Sequence, residues 1–363
     1  MKSSNVIYYP RLDHLRAFAV IIVMAFHVYH FGFQQWQPNP SAGWAGLIVE
    51  GHTGVALFFV LSGFLFMLIA LNGVIHYKKF IYNRFVRIFP LFLVVFMLAV
   101  TLGRDDFQAT DVFYLLFTNI GSPPTSDFFV TGPAWTISVE FSFYLLFPFI
   151  AAGFVANGWR YMLGLLALLF FFKLVVFLEV KDPIHVFYST LVGRLDQFLI
   201  GMMAAVGFLN HQKWLEKYAY VFGFLAVTLL FGSLWYLAAN ASWAGPQRGH
   251  PWWLVWSSIE ASVWAMVLVS YMCLPQGRSA LSRGFAMLAG YIGKISFSAY
   301  LLHASVIFVL YELFAGFQFT QIFYINMLLA FSLVFMLTVL LSTLSYFCIE
   351  KPFLVKRKRY INN

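Results

Sequence analysis

Arg16 and His27 stand eleven residues apart in the apolar stretch RAFAVIIVMAFH. Eleven residues make about three helical turns, so both side chains leave one face, roughly 16 Å apart along the axis. A charged and a titratable group on one stripe of a membrane helix are costly, and such groups mark sites that handle protons or ionic ligands. An imidazole titrates near neutral pH and serves as a general base toward a hydroxyl. Arg84 and Arg87 recur at i, i+3 in NRFVRIFP, so on a helix they project together. Paired guanidiniums grip phosphate oxygens two at a time; plain anchoring at the cytoplasmic edge of a membrane competes with that reading. Glu140 lies at a depth where it can orient the His27 ring. Ser62, in LSGF, offers a nucleophile or an acceptor contact, although Ser-Gly in a helix more simply permits close packing. His303 offers either a substrate contact or a partner for His27, against a structural role. Arg194, Asp196, Lys173 and Glu260 read most simply as buried ion pairs holding helices together. His27 and His30 share i, i+3 spacing, but no carboxylate or cysteine joins them at ligand spacing, so no metal is expected.

The elements that must position these groups are membrane helices. The chain has 363 residues, 61% hydrophobic and 10% charged, against about 25% charged in soluble proteins. Apolar runs of about 20 residues recur from end to end. They predict an all-α, polytopic membrane protein in one domain, with about ten transmembrane helices at roughly 13–33, 51–72, 87–104, 133–154, 161–180, 188–208, 219–239, 253–274, 289–314 and 323–347. The loop at about 105–132 carries an apolar piece, 112–120, too short to cross and suited to an interfacial helix. No cleavable leader and no soluble domain after the tenth span are expected. With ten spans both termini share a side, and 18 of the 23 Lys and Arg residues fall there. That bias places both termini in the cytoplasm. The net charge of +9 and the KRKR run at 356–359 then read as an anchor near anionic lipid, not a nucleic-acid site. The two cysteines, Cys273 and Cys348, read as small hydrophobes.

Six pieces occur in order along the chain: RLDHLRAFAVIIVMAFH (11–27), GVALFFVLSGFLF (54–66), NRFVRIFP (83–90), PAWTISVEFSFYLLFP (133–148), ISFSAYLLH (295–303) and IEKP (349–352). Together they resemble the acyltransferase 3 family of integral membrane acyltransferases, in its stand-alone form. The resemblance implies a ten-helix enzyme of the cytoplasmic (inner) membrane. It would move an acyl group, usually acetyl from acetyl-CoA, to a hydroxyl of a glycan or lipid-linked glycan such as an O-antigen unit. The family's motif histidine maps to His27 and its partner arginine to Arg16; its RxxR maps to Arg84 and Arg87. On that reading His27 takes the acceptor's proton and passes it to the departing thiolate, Glu140 orients His27, and Arg16, Arg84 and Arg87 hold the acyl-CoA phosphates. Direct transfer and an acyl-enzyme both fit, and oligomeric state is not legible. The alternative from another class is a secondary transporter or carrier of a glycan or lipid-linked substrate.

Overall fold

The computed structural model describes residues 8–35, 45–102, 129–181, 183–240 and 250–362. Apolar segments become helices because only a helix satisfies every backbone N–H and C=O within one segment. The helices are α1 (Pro10–His27), α2 (Gly46–Val49), α3 (Thr53–Ala70), α4 (Tyr77–Leu102), α5 (Trp135–Glu179), α6 (Ile184–Ser189), α7 (Leu191–Lys217), α8 (Ala219–Asn240), α9 (Trp252–Cys273), α10 (Ala280–Lys294), α11 (Ser296–Leu313), α12 (Phe323–Ser345) and α13 (Lys351–Leu354). Among the described residues nine helical stretches are long and apolar enough to cross a membrane. The protein is thus an all-α, multi-pass membrane protein. The interfacial piece expected at 112–120 lies outside the described residues.

The expected spans 133–154 and 161–180 emerge as the two limbs of α5. Gly158 breaks the helix with φ +63° and ψ −147°, a conformation that glycine adopts without a Cβ clash. The Tyr161 ring then lies against Gly153, a contact across eight residues that a straight helix would not allow. With each limb counted as a span, the crossing-length stretches among the described residues number ten. The third span starts earlier than expected, because α4 begins at Tyr77 and not at 87. The expected span 289–314 is divided at Ile295: its first residues belong to α10, and α11 makes the crossing. Leu281, Phe285 and Leu288 are exposed on α10 at i, i+4, i+7, the pattern of a helix lying in a membrane interface.

The two chain ends meet at one face, where Tyr8 and Tyr360 line one cavity. There β1 (Val74–Ile75) pairs antiparallel with β2 (Ile361–Asn362), and Gly293 of α10 lies on the backbone of Asp13. At the centre stands α3, with 83% of its span buried. It crosses α7 where small residues face backbone. A Cβ on Gly63 would lie 2.1 Å from the Phe198 carbonyl oxygen, and one on Gly201 would lie 2.2 Å from that of Val60. Such close approach is how membrane helices associate without a hydrophobic driving force between them. The Phe198 ring stacks on Phe59 and on Phe143, with centroids 4.7 and 3.9 Å apart.

Gly201→Ala should therefore force α3 and α7 apart, at a cost of about 1–3 kcal/mol. The readout is earlier thermal loss of the monodisperse species in detergent. Gly207→Ala, where nothing lies within 4 Å, should leave that transition unchanged.

Candidate active site

A cavity of about 280 Å³ opens at the face holding the chain ends. Val55, Phe58, Ser62, Leu65 and Ile69 line it from α3, the i, i+3/i+4 stripe of a single helix face. From Val55 to Ile69 that stripe runs about 21 Å along the axis. Its mouth is cationic: Arg16, Arg84, Arg87, Lys294 and Arg357 line the cavity, with Asp13 beside them and Glu140 deeper. The three arginines singled out in the sequence thus meet in one cavity, although they come from two helices.

Each arginine is held differently. Arg16 donates to Asp13 Oδ1 at 2.6 Å, and the Tyr8 hydroxyl donates to Asp13 Oδ2 at 2.7 Å. Burial and the Asp13 carboxylate push the Tyr8 hydroxyl up to about 12, so it remains a donor at neutral pH. Arg87 donates to Glu350 Oε2 at 3.0 Å, and the buried Glu350 also accepts from Ser298. Arg84 has no carboxylate at ion-pair distance among the described residues. Its guanidinium lies over the rings of Phe66, Phe80 and Tyr144, at 5.0, 5.5 and 5.8 Å, and its Nε makes no hydrogen bond. Aromatic faces hold the cation in place while leaving its donors uncommitted.

Deeper in the cavity, Ser62 Oγ donates to Glu140 Oε1 at 3.3 Å, and the Tyr144 hydroxyl donates to the same oxygen. Glu140 is therefore committed to Ser62 and Tyr144, and it is not the partner of His27. That partner is His303, whose Nε2 lies 2.8 Å from His27 Nδ1. His303 Nδ1 faces the Ala299 carbonyl at 3.2 Å and must carry a proton to donate there. Nε2 of a neutral His303 is then an acceptor, so His27 donates through Nδ1. The tautomer this network assigns leaves Nε2 of a neutral His27 with a free lone pair, which is the form a general base needs. The pair sits just behind the cavity's deep wall. Tyr300 lines the cavity, its ring centroid is 5.8 Å from that of His303, and its hydroxyl donates to the Pro133 carbonyl at 3.2 Å. Past His27 the helix continues as a π-turn, Val28–Gly32, an irregularity found often at functional sites.

The remaining buried charges pair across helices. Lys173 donates to Asp196 at 2.7 Å, Arg194 donates to Glu260 at 3.2 Å, and Gln197 donates to Glu260 at 2.8 Å. Sequence reasoning missed Glu350, Arg357 and the buried Glu50–His52 pair at 3.0 Å. Glu350 lies within the IEKP motif, a usable signal; Arg357 is masked by its basic neighbours. Toward the other face, an open groove of about 430 Å³ is lined by Gln34, Gln318, Thr320, Gln321, Tyr311 and Phe323 among others.

The protein is a multi-crossing helical bundle with a cationic cavity open at one face and a histidine pair behind that cavity's inner wall. Comparison with known proteins makes the assignment specific. The chain belongs to the acyltransferase 3 family, matching its acyltransferase domain over residues 9–347. It is 32% identical to the acyltransferase MdmB of Streptomyces mycarofaciens over 40% of this chain and 39% of that protein. It is 27% identical to the peptidoglycan O-acetyltransferase OatA of Listeria monocytogenes over 52% of this chain and 32% of that protein. The chain thus aligns with well under half the length of either relative. No solved structure matches it.

Lys173→Met leaves the Asp196 carboxylate buried beside Ser257 and Ser258 without its cation. Breaking a buried pair in this way costs about 3–5 kcal/mol. Lys173→Met/Asp196→Leu should recover most of that loss in a detergent thermal-stability assay. Equal loss in the double variant would assign Lys173 a role beyond pairing.

Proposed function

We propose that this protein is a membrane O-acyltransferase that moves an acetyl or other short acyl group from cytoplasmic acyl-CoA to a hydroxyl of a glycan or lipid-linked glycan, such as an O-antigen unit. On this reading it resides in the cytoplasmic membrane with both chain ends inside. The observation that carries the reading is the cavity: cations at the mouth, an apolar stripe about 21 Å long, and a histidine pair behind its far wall. Arg84, whose donors are uncommitted, and Arg87 would take the phosphates of the donor, with Arg16 alongside. A pantetheine arm is long and mostly uncharged, which suits the stripe on α3.

The reaction needs a base for the acceptor hydroxyl. His27 Nε2 supplies the lone pair. The hydroxyl oxygen bonds to the thioester carbonyl carbon, its proton passes to His27, and the carbon–sulfur bond breaks. The thiolate then takes the proton from His27. His303 Nε2, accepting from His27 Nδ1, steadies the imidazolium that forms in between, the role the sequence assigns to Glu140. Tyr300 partitions donor cavity from histidine pair, so its ring must shift or the thioester must pass beside it. The groove at the opposite face is lined by carboxamides, a hydroxyl and aromatic rings, chemistry that suits a neutral, hydroxyl-rich acceptor.

Two variants test this with the protein in nanodiscs and radiolabelled acetyl-CoA. His27→Ala should bind the donor like the wild type yet transfer at least about 10²-fold more slowly. Arg84→Ala should weaken donor binding about tenfold, or about 1.4 kcal/mol. Wild-type transfer by His27→Ala would contradict the assignment of His27 as the base, and no saturable acetyl-CoA binding by the wild type would contradict the donor reading and favour a transporter.

A further inference from the structure

The basic run at 356–359 has the composition of a membrane anchor, but the structure folds it back into the protein. Asn83 of α4 holds it with two hydrogen bonds: Nδ2 donates to the Lys358 carbonyl at 2.6 Å, and the Lys358 N–H donates to Oδ1 at 2.8 Å. The His76 N–H donates to the Tyr360 carbonyl at 2.8 Å, and β2 pairs with β1 just beyond. Tyr360 is 1% exposed, edge-on to Phe80 at 5.4 Å. Phe80 is one of the rings beneath Arg84. The segment is therefore a built wall of the cavity, fixed at three successive points.

That wall sorts its cations. Lys356, Lys358 and Arg359 are exposed, whereas Arg357 is partly buried and lines the cavity with Arg84 and Arg87. Its Nε donates to the Leu354 carbonyl at 3.0 Å, which orients the guanidinium. Burial, together with the nearby positive charges of Arg87 and Arg84, pulls the Arg357 guanidinium below its ordinary pKa. Of these three guanidiniums, only Arg87 pairs with a carboxylate among the described residues. Like charges gathered in a partly desolvated cavity are unfavourable until an anion joins them.

We propose that Arg357 is a phosphate-binding residue of the acyl-donor site and that the segment 355–361 is the wall that presents it opposite Arg84. The inference rests on the reading of this cavity as the donor site. It assigns to the basic run a ligand role that its position in the sequence hides, and it makes Asn83 a positioning residue.

The test is equilibrium binding of radiolabelled acetyl-CoA to the full chain, in nanodiscs of phosphatidylcholine alone and with added phosphatidylglycerol. Arg357→Gln should weaken binding about tenfold in both lipids, the scale of a lost charge-assisted contact. Arg357→Lys, which keeps the charge but not the planar fork, should fall between. Asn83→Ala should weaken binding in the same direction, and Lys356→Gln should bind like the wild type. Wild-type affinity in Arg357→Gln and Asn83→Ala, with binding weakened in Arg84→Ala, would overturn this inference while leaving the donor reading intact. A deficit seen only with phosphatidylglycerol would overturn it in favour of a lipid headgroup. Absence of saturable binding in the wild type would overturn both.

Discussion

The close crossing of α3 and α7 is the constraint from which the rest of the site follows. Gly63 and Gly201 each press against the other helix's backbone, so α3 cannot rotate without forcing the pair apart. That fixes which face of α3 points the other way. On that face stand Val55, Phe58, Ser62, Leu65 and Ile69, the lining of the cavity. The same crossing sets α7, and with it Arg194 and Asp196. Those two then reach Glu260 on α9 and Lys173 on the second limb of α5. One steric contact thus registers the cavity wall and the ion pairs behind it.

The charges divide into two populations. Lys173, Asp196, Arg194 and Glu260 are matched one to one and buried. Pairing of that kind sets helix register more than it adds stability, because desolvation offsets most of the attraction. The cavity population is unbalanced: Arg16, Arg84, Arg87, Lys294 and Arg357 face it with Asp13 and Glu140, and Glu350 pairs with Arg87 from behind. Asp13 is shared between Arg16 and Tyr8, and Glu140 is bound to Ser62 and Tyr144. A fold that neutralises its other buried cations so carefully leaves this surplus where a ligand can reach it.

Hydropathy reads depth well and rotation poorly, and that divides what was legible. Most spans, the sharing of one face by the chain ends and the convergence of Arg16, Arg84 and Arg87 follow from where residues lie along the helices. The ion pairs were also legible, because charges at matched depth have few other choices. Partners set by rotation about the axis were not. Glu140 lies at a depth suited to His27, yet its helix turns it toward Ser62, and His303 takes its place. The break at Ile295 was hidden because α10 is apolar on one face and joins α11 without a proline or a charge run. Arg357 was hidden for a different reason. Its place in the cavity depends on a long-range tether from Asn83 to the neighbouring Lys358 backbone, which the local sequence does not show.

The central claim is that the stripe on α3 guides an acyl donor from the cationic mouth to the histidine pair. Its most direct measurement is photo-cross-linking with a CoA thioester that carries a photoreactive group on the acyl chain, followed by mass-spectrometric mapping of the modified residues. The account predicts labelling at the deep end, on Phe58, Ser62 or Tyr300, that excess acetyl-CoA competes away. Labelling confined to the lipid-facing surface, or unaffected by acetyl-CoA, would contradict it.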